Sequence, residues 1–131
     1  MRISADEIVP NGLTQKDSEK IVRGLAELGI IAIHIFVGNF AALNHGYIMS
    51  PMSMSDAPLV PFADWVNSHV KVPVIAVGKI RSPELADKIL REGKADFIAI
   101  GRSLLADPDW PKKAQKGRAK EIRSCIACIQ G

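Results

Sequence analysis

Two apolar runs that each end in glycine, one helix apart, constrain most strongly what this chain can fold into. The first is Val72-Pro-Val-Ile-Ala-Val running into Gly78, and the second is Ala95-Asp-Phe-Ile-Ala-Ile running into Gly101. Short runs this rich in Val and Ile read as strands buried within a parallel sheet. Between them, Ser82 and Pro83 supply an N-cap and a first-turn proline for a helix over Glu84 to Glu92, closed by Gly93. A strand, a helix and a parallel strand bring both glycine turns to the same carboxyl-terminal edge, where their amides can converge on one anion. Neither glycine carries a Cβ to hold a ligand off the backbone. Taken singly, each would mark only a tight turn.

The same βα rhythm extends upstream. Arg2 to Ser4 starts a very short strand, and the polar stretch Asp6 to Gly12 reads as a loop. Thr14 with Asp17 forms a capping arrangement for a helix carrying Ile21, Val22, Leu25 and Leu28 on one face, ended by Gly29. A strand follows over Ile30 to Val37. Gly38 to Pro61 shows no sustained period and reads as a long loop of the kind that carries ligand contacts. Phe62 to His69 is a short helix leading into the Val72 to Val77 strand, and the fourth strand is Ala95 to Ile100. Arg102 to Ala106 opens a helical turn, and Pro108 with Asp109 restarts a helix from Trp110 to about Lys116.

A length of 131 residues and a 47% hydrophobic content suit one domain. The net charge of +3 is mild. Lys112, Lys113, Lys116, Arg118, Lys120 and Arg123 crowd the last quarter, yet only Trp110 lies near them to stack on a base, so a solvated surface is expected and not a nucleic-acid interface. No run is long enough for a membrane span and no signal peptide opens the chain, which predicts a cytoplasmic protein with reduced cysteines.

The two glycine-ended segments resemble the seventh and eighth strands of the old yellow enzyme family of flavin oxidoreductases, in the branch that includes the 2,4-dienoyl-CoA reductases. Arg2-Ile-Ser with Gly12-Leu-Thr is similar to that family's fifth strand and following loop. Ala32-Ile-His-Ile is similar to the sixth strand, and Ile122-Arg-Ser-Cys-Ile-Ala-Cys-Ile-Gln-Gly to the tail after the barrel. The match covers essentially the whole chain, in the family's order. It implies an α/β fold that is half of a (β/α)8 barrel, with about four parallel βα units, a C-terminal helix and a tail. A full barrel takes about 250 residues. The resemblance also implies an FMN site: amides around Gly78, Lys79, Gly101 and Arg102 hold the phosphate, the Arg102 side chain adds charge, and Arg2 reaches the pyrimidine edge of the flavin. Lys79 stands where the family often has glycine or arginine. The complete family moves hydride from NAD(P)H through flavin to an activated alkene, a small-molecule substrate.

That family's anion-binding histidine pair and proton-donating tyrosine belong to the other half of its barrel, so no catalytic residue is assigned and independent turnover is left open. Four strands alone leave two unpaired edges, which predicts a homo-oligomer or a complementary half-barrel as partner. His34, inside an apolar strand, reads as a satisfied, partly buried histidine. His45 and Tyr47 can form an acid/base pair on paper, but they follow the sixth strand and not the fourth, and no role is carried over to them. Cys125 and Cys128 resemble part of an incomplete iron-sulfur motif. Such a cluster takes four thiolates and this sequence has two, so no cluster within one chain and no metal site is expected. Two alternatives stand beside the oxidoreductase: a noncatalytic half-barrel that self-associates and at most binds a phosphate-bearing ligand, and a separate enzyme on a doubly wound sheet. Strand order separates the last from a barrel piece.

Overall fold

In the computed structural model, which describes residues 1–129, β1 (Arg2–Ser4), β2 (Ile33–Phe36), β3 (Val74–Ala76) and β4 (Phe97–Ile98) form one sheet in the order β1-β2-β3-β4, every pair parallel. Neighbouring strands thus follow chain order, as in a barrel segment; a doubly wound sheet would break that order. The helices between them are α1 (Gln15–Glu27), α2 (Val60–Asn67) and α3 (Pro83–Arg91), followed by α4 (Arg102–Ala106) and α5 (Trp110–Gln115). The chain has half-barrel architecture, four βα units with a C-terminal tail.

Register sorts the side chains into two faces. Ile35 pairs with both Ile3 and Ala76, and Ala76 also with Ile98; Ile33 pairs with Val74. Ile33, Ile35, Val74 and Ala76 are fully buried and pack with Val22, Ala63 and Val66 of the helices, so this row faces the helical layer. The next row over, Arg2, His34, Ile75 and Phe97, lies on the opposite face, the side that would line a closed barrel. Phe97 is 57% exposed there. The fourth strand is therefore not the doubly buried run its composition suggests: only β3 pairs with it, and its far edge has no neighbour among the described residues.

Local sequence explains the helix starts. Thr14 Oγ1 accepts from the Asp17 amide while Asp17 accepts from the Thr14 amide at 3.1 Å and from its hydroxyl at 2.7 Å, a complete capping box. The Thr14 hydroxyl, and then its amide, hold the Asp17 carboxyl below the usual range. Ser82 caps α3 by accepting from the Leu85 amide at 3.2 Å. In α1 the expected apolar face departs from the structure, since Val22 is buried but Ile21 is exposed and Leu28 is 82% exposed. The helix docks instead through Val22 and Ser18, whose hydroxyl donates to the Ser4 carbonyl at 3.1 Å. The long loop is also more structured than expected. It contains a 3-10 turn over Phe40–His45, and α2 begins at Val60, two residues early, because Pro61 fits its first turn. No helix among the described residues is long and apolar enough to cross a membrane.

Candidate functional site

At the carboxyl-terminal edge of the sheet the two glycine turns, residues 78–81 and 99–103, border a cavity of about 180 Å³. Arg2, Gly78, Lys79, Gly101 and Arg102, all singled out in the sequence, lie around this one cavity, together with Phe36, Leu59, Arg81, Ser103, Cys125 and Ala127. Ser103 ties one turn to the other by donating to the Ile80 carbonyl at 3.2 Å.

The two glycines serve different ends. Gly78 has φ +109, and a Cβ there would come within 2.7 Å of Leu59 Cγ. Leu59 and the backbone angle by themselves forbid a side chain at 78. At Gly101 a Cβ would meet nothing within 4 Å, so glycine leaves space open beside the cavity that any side chain would begin to fill.

The lining carries four cationic side chains, Arg2, Lys79, Arg81 and Arg102, and no carboxylate. Lys79 and Arg81 are the most heavily engaged. Lys79, at φ +50 and with a side chain only 3% exposed, sends its ammonium into the 50–56 segment, donating to the carbonyls of Pro51 (2.8 Å), Met52 (3.1 Å) and Met54. Arg81 grips Asp56 through two bonds of 2.8 and 2.9 Å, and the Asp56 hydrogen bond raises its pKa further above the ordinary arginine value. Arg102 gives one guanidinium nitrogen to the Ser50 carbonyl at 3.1 Å. Arg2 lies over the Phe36 ring, its guanidinium carbon 4.5 Å from the centroid. Despite its place at the chain start it is held: the Met1 ammonium donates to the Ala32 carbonyl at 2.8 Å, and the Met1 carbonyl accepts from the His34 amide at 2.7 Å. Arg2 and Arg102 are thus the cavity's cations without a carboxylate partner among the described residues, against apolar walls from Phe36, Val77 and Ile100. Such a cavity suits an anion joined to a flat apolar body.

Sequence reasoning missed how the tail reaches this site. Buried Asp107 accepts from Lys113 Nζ at 2.6 Å and from the Arg123 amide at 2.9 Å, and these bonds, Lys113's foremost, hold its carboxyl below the usual range. Arg81 adds a 3.2 Å bond to the Cys125 carbonyl. Cys125 and Ala127 are pinned against the cavity in this way. The one legible hint was Asp107-Pro-Asp, a turn-forming triplet.

Other candidates fall outside. His34 is not satisfied as expected: its Nε2 is buried with no hydrogen-bond partner among the described residues. Burial first, then Arg2 and the terminal ammonium, lower its pKa and favour the neutral ring. Tyr47 packs edge-on against Phe62 at 6.1 Å, and neither it nor His45 borders the cavity. Cys125 Sγ accepts from the Ala127 amide at 3.4 Å and Cys128 is exposed; both thiols are free. Among the described residues no group of three or more His, Cys, Asp or Glu gathers around a point.

Four parallel βα units in chain order, with a cationic cavity free of carboxylates at their carboxyl edge, define the class: half of a βα-barrel. The chain belongs to the NADH:flavin oxidoreductase / NADH oxidase family, whose model matches residues 1–121. It is 43% identical over 130 residues to an NADH oxidase of Thermoanaerobacter brockii, covering 99% of this chain and 20% of that protein. It is 33% identical to a cinnamate reductase of Clostridium sporogenes, over 92% of this chain and 19% of that protein. Among solved structures, a 2-naphthoyl-CoA reductase in complex with 2-naphthoyl-CoA superposes with a TM-score of 0.87 at 26% identity, covering 100% of this chain and 20% of that one. The chain therefore spans about a fifth of the length of these relatives.

Proposed function

We propose that this chain forms the FMN-phosphate side of an NAD(P)H-dependent flavin oxidoreductase acting on activated alkenes. The carrying observation is the acid-free cavity bounded by both glycine turns, with Arg2 and Arg102 lacking carboxylate partners among the described residues. The residues fit the group: the open space at Gly101 accepts a phosphate where a side chain would obstruct it, and the turn amides and Arg102 supply donors. Arg2, anchored on Phe36, would favour negative charge on a bound ring system. When bound, the flavin supplies the hydride relay between a nicotinamide and an alkene. The names of the cinnamate and naphthoyl-CoA reductases support an alkene or aromatic acyl substrate. Reaction chemistry also needs an acid and a substrate wall, which on this view come from the complementary half that pairs with the free edges of β1 and β4.

Size-exclusion chromatography after incubation with FMN tests this directly. Flavin absorbance travelling with the protein peak, at a mass above one chain, is the expected result. A flavin-free peak would reduce the chain to a noncatalytic half-barrel and overturn the cofactor assignment.

A further inference from the structure

Lys79 borders the cavity but offers its charge to something else. Its ammonium is buried and donates to three backbone carbonyls, those of Pro51, Met52 and Met54, with Asp56 at 3.9 Å. A ring of main-chain carbonyls around a buried cation is the coordination a protein gives to a monovalent ion, since carbonyl dipoles replace its hydration shell. Here the ion is tethered to the chain. Because an ammonium has three protons and three carbonyls receive them, no donor remains for a ligand. The backbone at 79 accepts φ +50, an unfavourable angle for lysine, and so aims the side chain inward.

The segment so gathered continues into the site. At its start, Ser50 is buried and its carbonyl accepts from Arg102. At its other end, Asp56 holds Arg81, and the Ala57 amide donates to the Lys79 carbonyl at 3.3 Å. Within it the Met54 amide donates to the Pro51 carbonyl at 3.2 Å. We infer that Lys79 is a positioning residue: its ammonium acts as a built-in monovalent cation that folds the 50–56 strap and thereby fixes the Arg102 guanidinium beside the cavity. It shapes the anion site without its side chain touching the anion. The consequence for ligand affinity rests on the flavin reading above, whereas the strap and the Arg102 orientation do not.

The test uses Lys79→Met, which keeps the stem without the charge, and Lys79→Ala, which removes a fragment equivalent to n-propylammonium. Amide exchange at Met54 and Ala57 should speed roughly tenfold or more in both variants, with exchange at Ile35 in the core unchanged. The Arg102 Nε–H signal in nitrogen-15 spectra should move towards that of a solvated guanidinium. In Lys79→Ala, n-propylammonium should restore both signatures saturably, while propan-1-ol, which fills the space without charge, should not. Unchanged exchange and Arg102 signal in Lys79→Met would overturn the inference, as would equal rescue by the alcohol. FMN affinity in Lys79→Met should fall about tenfold; an affinity loss with strap and Arg102 signals intact would show that Lys79 meets the ligand itself and also overturn it. Failure of the parent chain to bind FMN would sink the flavin reading and leave this inference to be decided by exchange and the Arg102 signal.

Discussion

Gly78 and Gly101 look alike in sequence, but substitution should separate them cleanly. Alanine at 78 would have to hold φ +109, a strain of about 1–3 kcal/mol, and would press its Cβ to 2.7 Å from Leu59 Cγ and 2.9 Å from Leu59 Cδ1. Overpacking of that kind adds about 1–3 kcal/mol. Gly78→Ala should therefore lose roughly 2–6 kcal/mol in urea unfolding followed by circular dichroism, a large part of an ordinary domain's stability. Leu59→Ala removes the offending carbons, so in the double variant the two losses should fall short of their sum by about 1–3 kcal/mol. A Cβ at 101 meets open space, so Gly101→Val should cost less stability than Gly78→Ala, yet weaken FMN binding, read by flavin fluorescence, at least about tenfold. A Gly78→Ala chain as stable as its parent would refute the packing argument. Parent-like FMN affinity in Gly101→Val would refute the pocket.

The Asp107 carboxyl has a depressed folded pKa, so its hold on the tail is complete above the unfolded value of about 3.9 and is lost as pH falls through the folded value. Trp110 fluorescence in a Trp65→Phe background should report that acid transition, and Asp107→Asn should already show the released signal at neutral pH. Arg81→Met removes the bonds to Asp56 and to the Cys125 carbonyl; the partly exposed ion pair contributes less than about 1 kcal/mol, so stability should hold while Cys125 alkylates faster in a stopped-time labelling assay. Equal labelling rates would remove Arg81 from the tail's anchorage. Phe97→Lys puts a charge on the open face beside the β4 edge and should shift light-scattering mass towards one chain; a parent already at that mass would contradict edge pairing.

The elements that local rules determine were legible in the residues. The Thr14–Asp17 box, the Ser82-Pro83 start and the parallel sheet follow from capping chemistry and apolar runs, and the five candidate site residues do surround one cavity. What stayed hidden depends on distant partners. Leu28 and Phe97 satisfy an apolar pattern whose covering surface this chain does not contain among its described residues. The turn amide of Lys79 is legible as a candidate donor, but nothing local shows that its ammonium reaches 25 to 28 positions back along the chain. Arg81 carries no local signature and Asp107 only its turn-forming Asp-Pro-Asp triplet, because their partners at 56, 123 and 125 are neighbours only in the fold.

A sheet whose strands stand in chain order can grow at one edge while the polypeptide is still being made. Each strand, on emerging, finds its template already in place, and the loops to be closed stay short. The cavity does not share that timing. Its last wall, Cys125 and Ala127, docks only when Asp107 captures the Arg123 amide and Arg81 the Cys125 carbonyl, in a segment downstream of all four strands. A nascent chain would thus present a paired sheet well before it presents a finished anion site, and a truncation before residue 123 would keep the former while losing the latter.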